Sequence, residues 1–281
     1  MTSSVSIPVA FLGPEGTFTE EALLANMPSG DYHPYPYPTI RDVMRAVQED
    51  EAALGIVPIE NSLEGSVVMT MDLLAWSFDG LHITREITHS ISHQLIARRP
   101  LELGRVTKII SHPHAYGQCR TFLNESLPGV EHEAANSTAE AARTVSRVDR
   151  PWVAIGTRLA ADMYECVVLR DSIEDSAENR TRFVFLGPKE APQDAEGRFK
   201  TSIVCAIAAD QPGSLLAILS EFAERSVNLT KVESRPSKQG LGNYIFFIDM
   251  EGRRTDPAIA AALRNLEDRL AWIRVLGSFP A

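Results

Sequence analysis

The sequence predicts an α/β protein that ends in a smaller βαββαβ region, and three observations carry that expectation. Between residues 7 and 186 one arrangement recurs: a short apolar run, a polar or glycine-containing turn, then a helical pattern. A loop-like stretch with Pro192, Gly197 and mixed charges, but no apolar periodicity, interrupts the chain near 189–198. Beyond it the order strand, helix, strand, strand, helix, strand fits a ferredoxin-like arrangement.

Taken in order, Ile7 to Leu12 forms the first strand. It leads into Gly13-Pro14-Glu15-Gly16-Thr17-Phe18-Thr19-Glu20, where Thr17 and Glu20 have capping-box spacing and predict a helix start. Ala53 to Val57 leads into Pro58-Ile59-Glu60-Asn61-Ser62, Val106 to Ile110 into Ser111-His112-Pro113-His114, and Trp152 to Ile155 into Gly156-Thr157-Arg158. Ser137 and Glu140 repeat the capping-box spacing ahead of Ala141-Ala142. After the interruption, strands are expected at Ser202 to Ala208, Leu229 to Ser234, Tyr244 to Met250 and near Trp272 to Leu276. Helices are expected at Pro212 to Ala223 and from Asp256-Pro257, where Ile259, Leu263, Leu266 and Leu270 share one face. The division expected is a large α/β domain over 1–188, a linker over 189–199 and a small domain over 200–281.

With 27 basic and 37 acidic side chains among 281 residues, the net charge of -10 opposes nonspecific attraction to nucleic acid or anionic lipid. Neither is expected as a partner. Met1 to Pro8 has no signal-peptide character and no later run approaches membrane length, so a cytoplasmic location is expected. Cys119, Cys166 and Cys205 are odd in number, widely spaced and set in apolar surroundings, which predicts buried thiols. His112-Pro113-His114 with Cys119 lacks any paired metal-ligand frame, and Gly13 to Thr19 has neither a P-loop ending nor a dinucleotide fingerprint. No metal and no cofactor are expected.

In open α/β sheets the ligand crevice lies beyond the carboxyl ends of the strands, where the unusual polar residues of this chain fall. Helices starting near Thr17, Ser62, Ser137 and Gly156 would each present free backbone N–H groups to an anion. Asn179-Arg180-Thr181-Arg182-Phe183 holds a hydroxyl between two guanidinium groups, a cationic setting suited to a small carboxylate substrate.

Together these stretches resemble the prephenate dehydratases, in order and over essentially the whole chain. The resemblance rests on Gly13 to Phe18, Val57 to Ser66, Ser111-His112-Pro113 with Gln118-Cys119, Asn136 to Ala142, Ala154-Ile155-Gly156 and Asn179 to Phe183. It implies a two-lobed, periplasmic-binding-protein-like catalytic domain followed by a ferredoxin-like ACT domain. It also implies conversion of prephenate to phenylpyruvate with loss of carbon dioxide and water. Thr181 matches the family's catalytic threonine, with Glu60 and His112 as candidate proton suppliers and Asn61, Ser62, Ser111, Ser137, Thr138 and Arg182 as the binding set. Gly213, Ser214 and Leu215 with Glu233, Ser234 and Arg235 look like the family's phenylalanine-binding segments. Phenylalanine is thus the expected effector, bound between paired copies in a homodimer or homotetramer. His114 and Tyr116 stand where glutamine and a small or aliphatic residue are commoner, and Ser214 where alanine is usual. The first strand begins at Ile7, so the chorismate mutase activity that some relatives carry is expected from another chain. An arogenate dehydratase and a noncatalytic ligand-binding module with an amino-acid sensor are the alternatives.

Overall fold

The computed structural model describes residues 6–27, 32–207, 211–237 and 243–281. Met1 to Val5 and Ala208, the last residue of the expected strand 202–208, lie outside the described residues. Two compact units divide the chain, Met1–Met71 with Ile87–Phe183, and Asp72–Glu86 with Val184–Ala281.

In the first unit, one lobe opens with β1 (Ile7–Leu12), α1 (Phe18–Asn26), β2 (Tyr32–Tyr37), α2 (Ile40–Gln48), β3 (Leu54–Asn61) and β4 (Gly65–Ser66). Next come α3 (Val68–Trp76) and β5 (His82–Ser90), whose ranges cross the boundary between the units. β1 pairs in parallel with β2 and β3, as the repeated strand–turn–helix pattern predicts. The helix expected near Ser62 is absent. β3 instead runs on to Asn61 and folds back as a hairpin, pairing Glu60 with Ser66 and Asn61 with Gly65.

The other lobe contains β6 (Gln94–Ala97), β7 (Lys108–Ser111), α4 (Pro113–Gln118), α5 (Arg120–Ser126), β8 (Glu131–Ala134), α6 (Thr138–Ser146), β9 (Trp152–Gly156), α7 (Arg158–Met163) and β10 (Val167–Arg170). Its sheet runs β10-β6-β9-β7-β8 and is covered on both faces. The alternation of side chains along each strand explains how. Leu95, Ile109, Val153 and Ile155 pack with Ala115, Cys119 and Leu123 of α4 and α5, while Ile96, Ile110 and Ala154 pack with Ala141, Ala142, Ala160 and Ala161 of α6 and α7. The chain passes between the lobes twice, from β5 to β6 and from β10 to β11 (Arg180–Gly187), and the two passages are tied where Ile91 N donates to Asn179 O at 2.9 Å. The first lobe's sheet, in the order β2-β1-β3-β11-β5, thereby takes up the returning strand. Two α/β lobes joined by paired crossovers are the arrangement of periplasmic binding proteins.

The helix expected after Thr17 forms, but its capping box does not close as the spacing predicts. The Thr17 hydroxyl donates to Leu12 O, and the Glu20 carboxylate takes the Gly16 N–H instead. Gly16 sits at φ +84 with Ala160 Cβ 3.1 Å from where its own Cβ would stand, and its carbonyl accepts from the Thr157 hydroxyl at 2.7 Å. The Gly13 to Phe18 motif therefore seats one lobe on the other, a role only glycine fits at its closest point. Ser137 caps α6 as expected, accepting from Glu140 N at 3.0 Å.

In the second unit β12 (Phe199–Ile207), α8 (Ser214–Ala223), β13 (Leu229–Pro236), β14 (Tyr244–Glu251), α9 (Pro257–Glu267) and β15 (Leu270–Pro280) give a four-stranded sheet ordered β13-β14-β12-β15. The ferredoxin-like reading holds. Ile218 and Phe222 of α8 and Ile259, Leu263 and Leu266 of α9 pack on Ile203, Cys205, Phe246 and Ile248. Leu270, expected on the α9 face, is instead the first residue of β15. The segment 72–86 belongs to this unit too: Asp72 pairs with Arg235, Trp76 meets Trp272 edge-on at 5.3 Å, and Glu86 pairs with Lys200. Besides the stretch after Phe183, then, α3 and β5 also carry the chain between the units.

Candidate active site

Within the first unit a cleft of about 550 Å³ draws its walls from both lobes. Leu12, Phe18, Ile40, Val67, Ile91 and Phe183 make one apolar part, while Asn61, Glu64, His93, His112, Gln118, Thr138 and Thr181 supply polar groups. An apolar wall with a few convergent polar groups in a space of this size is the usual form of a small-molecule site.

Strand alternation decides which part of the Asn179 to Phe183 motif reaches the cleft. Thr181 and Phe183, two apart on β11, both line it; Thr181 is 8% exposed. Arg182 projects from the opposite side and its guanidinium donates to Glu60 at 2.7 Å. The cationic setting expected around the hydroxyl is thus not what the strand builds, because residues flanking a strand position point the other way. Neither Arg182 nor Glu60 is among the cleft-lining residues.

A closed set of hydrogen bonds fixes the hydroxyl. The Asn61 carbonyl Oδ1 accepts from the backbone N–H groups of Leu63 and Glu64, at 2.9 and 3.0 Å, which orients the amide. Its Nδ2 must then face the other way, donating to Asn179 Oδ1 at 2.8 Å and to Thr181 Oγ1 at 2.9 Å. With its Oδ1 so occupied, Asn179 turns Nδ2 to Gln118 Oε1 at 2.9 Å, and Gln118 Nε2 reaches Glu64 at 3.2 Å. Gln118 Oε1 also lies 2.9 Å from His93 Nε2, so that ring nitrogen is the protonated one. Every partner assignment follows from two backbone N–H groups. The consequence for Thr181 is that its oxygen accepts, leaving its proton free to be donated into the cleft.

His93 is 2% exposed, and burial pushes its pKa below the ordinary histidine value, against the pull of Gln118 and Glu174. His112, which caps α4 by accepting from His114 N, is lowered as well, first by burial and then by His114, with Glu64 opposing. Neutral imidazole predominates at both near neutral pH. His112 is therefore a scarce source of protons there.

The remaining predicted residues fall in two groups. Thr138 lines the cleft at the start of α6. Ser62, Ser111 and Ser137 do not line it, and each hydroxyl has a protein partner: Ser62 with Glu178 O and Arg180 N, Ser111 with His132, Ser137 with Glu140 N. Sequence reasoning had not assigned roles to His93, Gln118 or Asn179. Gln118 and Asn179 lay inside quoted motifs, whereas nothing in the pattern around His93 marked it.

On the second unit, Gly213 at φ +92 precedes α8, with Ser214 accepting from Gln211 N and Leu215 packing partly into the core. Glu233, Ser234 and Arg235 lie on β13, the edge strand, where Arg235 is 3.0 Å from Asp72 and 3.8 Å from Glu233. Among the described residues no helix is long and apolar enough to cross a membrane, and no three His, Cys, Asp or Glu side chains gather as a metal site.

Comparison with known proteins gives these features a family. Residues 9–191 match the family model for prephenate dehydratase and residues 201–268 that for the ACT domain. A prephenate dehydratase of Methanocaldococcus jannaschii is 39% identical over 275 residues, covering 97% of each chain. The crystal structure of a prephenate dehydratase from Arthrobacter aurescens in complex with L-Phe superposes with a TM-score of 0.90 at 38% identity, covering 98% of this chain and 90% of that one. The structure of GqqA, described as a novel type of quorum quenching acylase, gives a TM-score of 0.86 at 30% identity, with 98% of both chains covered. The chain belongs to the prephenate dehydratase family and carries an ACT domain behind its catalytic region.

Proposed function

We propose that this chain performs its family's reaction, the decarboxylating dehydration of prephenate to phenylpyruvate, in the cleft at Thr181. The observation that carries this reading is the direction of the Asn61 to Thr181 hydrogen bond, which leaves a hydroxyl proton to donate. Breaking the ring carbon–carboxylate bond releases carbon dioxide and leaves its electron pair in the ring. The opposite carbon–oxygen bond then departs as water, taking up one proton. Thr181 donates a hydrogen bond to the leaving oxygen as its charge grows, an interaction stronger in the transition state than in the bound substrate. A threonine hydroxyl is too weak an acid to supply the proton alone, so solvent replenishes it; of the two expected suppliers, Glu60 is held by Arg182 away from the cleft lining, and His112 lines the cleft but is mostly neutral near pH 7.

The apolar wall of Leu12, Phe18, Ile91 and Phe183 suits the ring carboxylate, since a poorly solvating surface favours its loss as neutral gas. Thr138 at the start of α6 suits the pyruvyl carboxylate, where free N–H groups stabilise an anion. Asn61 orients Thr181, and Ser62, Ser111, Ser137 and Arg182 support the turns around the cleft rather than touch substrate. The same geometry disfavours acyl hydrolysis by Thr181, because the partner of its hydroxyl is a donor and cannot draw off the proton as a nucleophile requires.

Residues 1–188 form the catalytic domain, 189–199 the linker and 200–281 the regulatory domain, with phenylalanine bound at Gly213 to Leu215 and Glu233 to Arg235. The enzyme acts in the cytoplasm as a homodimer or homotetramer. Val232 on the edge strand β13 is 45% exposed, Tyr244 at the start of the neighbouring β14 41% and Leu216 on α8 67%, which supports pairing of two copies. Purified chain incubated with prephenate or with arogenate should release phenylpyruvate from the first. Phenylalanine from arogenate alone would make it an arogenate dehydratase, and no product from either would end the catalytic reading.

A further inference from the structure

At the other end of the second lobe's sheet lies a cavity of about 440 Å³ that the reaction does not use. Arg98, Arg99, Arg105 and Arg150 line it together with Pro100, Leu101 and Trp152, and Asp149 is its one acidic lining residue. The cavity begins at Ala97, the last residue of β6, whereas His93, just before β6, lines the catalytic cleft. Four residues of extended strand separate the two, roughly 13 Å.

Four arginines, all exposed to solvent, line one small space in a chain whose net charge is -10. Neutralisation inside the protein is incomplete. Arg99 pairs with Asp149 at 2.6 Å, but Arg98 and Arg105 have no carboxylate partner among the described residues. Arg150 is held over the Trp152 ring at 5.4 Å, with Lys108 over the same ring at 4.9 Å. The ring thus serves to hold cations rather than to stack a flat ligand. The Arg99–Asp149 pair is itself largely exposed, 69% and 63%, and it shows a carboxylate held by one of these arginines while three further guanidinium groups line the same space.

We propose that this cavity is a second binding site, for a small polyanion bearing two or more phosphate or carboxylate groups. Planar forked donors lining one space from two segments, 97–101 with 105 and 149–152, favour such a ligand over a single charge. None of its lining residues lines the catalytic cleft or belongs to the ACT domain.

Isothermal titration of the full chain with inorganic pyrophosphate and, separately, with citrate tests it, at low salt and again at physiological salt. Saturable binding of at least one is expected, weakening as salt rises. The double variant Arg98→Ala, Arg105→Ala should weaken it roughly tenfold or more, since two charge-assisted contacts are lost. Asp149→Ala should shift affinity the other way, because it frees Arg99 and removes the competing carboxylate. Both variants should still turn over prephenate, which checks their folding. No saturable binding at low salt, or equal affinity in all three proteins, or weaker binding by Asp149→Ala, overturns the proposal.

Discussion

Replacing Thr181 by valine removes one hydroxyl and almost nothing else, because the two side chains have nearly the same shape. The structural cost can be read from the partners left behind. Asn61 Nδ2 carries two hydrogens and has three acceptors, Asn179 Oδ1 at 2.8 Å, Thr181 Oγ1 at 2.9 Å and Arg180 O at 3.2 Å. Two acceptors remain for two hydrogens. Stability should therefore fall by no more than about 1 kcal/mol, the worth of one ordinary hydrogen bond, which lowers the melting temperature by roughly 2–4 °C. Catalysis should fall far more. A positioned proton or hydrogen-bond donor contributes about 10²–10⁴ in rate, or about 3–5 kcal/mol of barrier. Steady-state measurement of phenylpyruvate formation should show the loss in kcat with KM little changed, and Thr181→Ser should retain most of the rate. A valine variant within roughly threefold of the parent kcat, folded and stable, would refute the assignment of the hydroxyl.

Three further outcomes follow from the same geometry. Asn179→Asp keeps an acceptor for Asn61 but turns a carboxylate oxygen onto Gln118 Oε1, so the run of amides can no longer hold one sense; kcat should drop by roughly a hundredfold, and an unchanged kcat would show that the network does not position Thr181. His93 is buried with a lowered pKa, so the unfolded chain binds more protons than the folded one below the ordinary histidine value of about 6.5. Its contribution is complete above that pH and is lost as pH falls through the folded value. Melting temperatures measured from pH 8 down to pH 5 should decline, and less steeply in His93→Asn; identical slopes would remove His93 from the effect. On the second unit, Arg235→Ala should abolish inhibition by phenylalanine while keeping turnover, and Asp72→Asn, which releases Arg235, should lower the phenylalanine concentration needed for half-inhibition. Feedback unchanged in both would place the effector elsewhere.

Much of the fold was legible because apolar runs and turns are local signals. The ferredoxin-like region was read strand by strand, and only its ends moved: β15 runs for 11 residues from Leu270 to Pro280, well beyond the run near Trp272 to Leu276. Local reasoning failed where a longer-range partner took the group in question. Ser62 looked like a helix cap, but Asn61 satisfies the N–H groups of Leu63 and Glu64 and makes a hairpin turn instead. Glu20 looked like half of a capping box with Thr17, yet Gly16 claims it. Arg182 looked like a substrate clamp until strand alternation turned it towards Glu60. His93 carried no local mark at all, since its importance lies in a glutamine 25 residues away.

The orientation of a hydroxyl proton is beyond any motif, yet here it follows from the hairpin turn between β3 and β4. Backbone N–H groups can only donate, so those of Leu63 and Glu64 set the sense of Asn61, and Asn61 sets Thr181 and Asn179 in turn. That turn opens the stretch that continues through Gly65, Ser66 and Val67 of the cleft wall into α3. Thr70 fixes the helix by donating to Pro58 O at 2.6 Å, and Asp72, half a turn further on, holds Arg235 with both side chains largely covered, 12% and 15% exposed. A ligand that draws on the Arg235 guanidinium weakens its pairing with Asp72, and that loss falls on the helix that carries Asp72. Binding there and ordering of the 61–67 turn thus compete for one short segment. Because coupling free energy is reciprocal, prephenate analogues that tighten the turn should weaken phenylalanine binding by the same factor that phenylalanine weakens theirs, and Asp72→Asn should shrink both factors together.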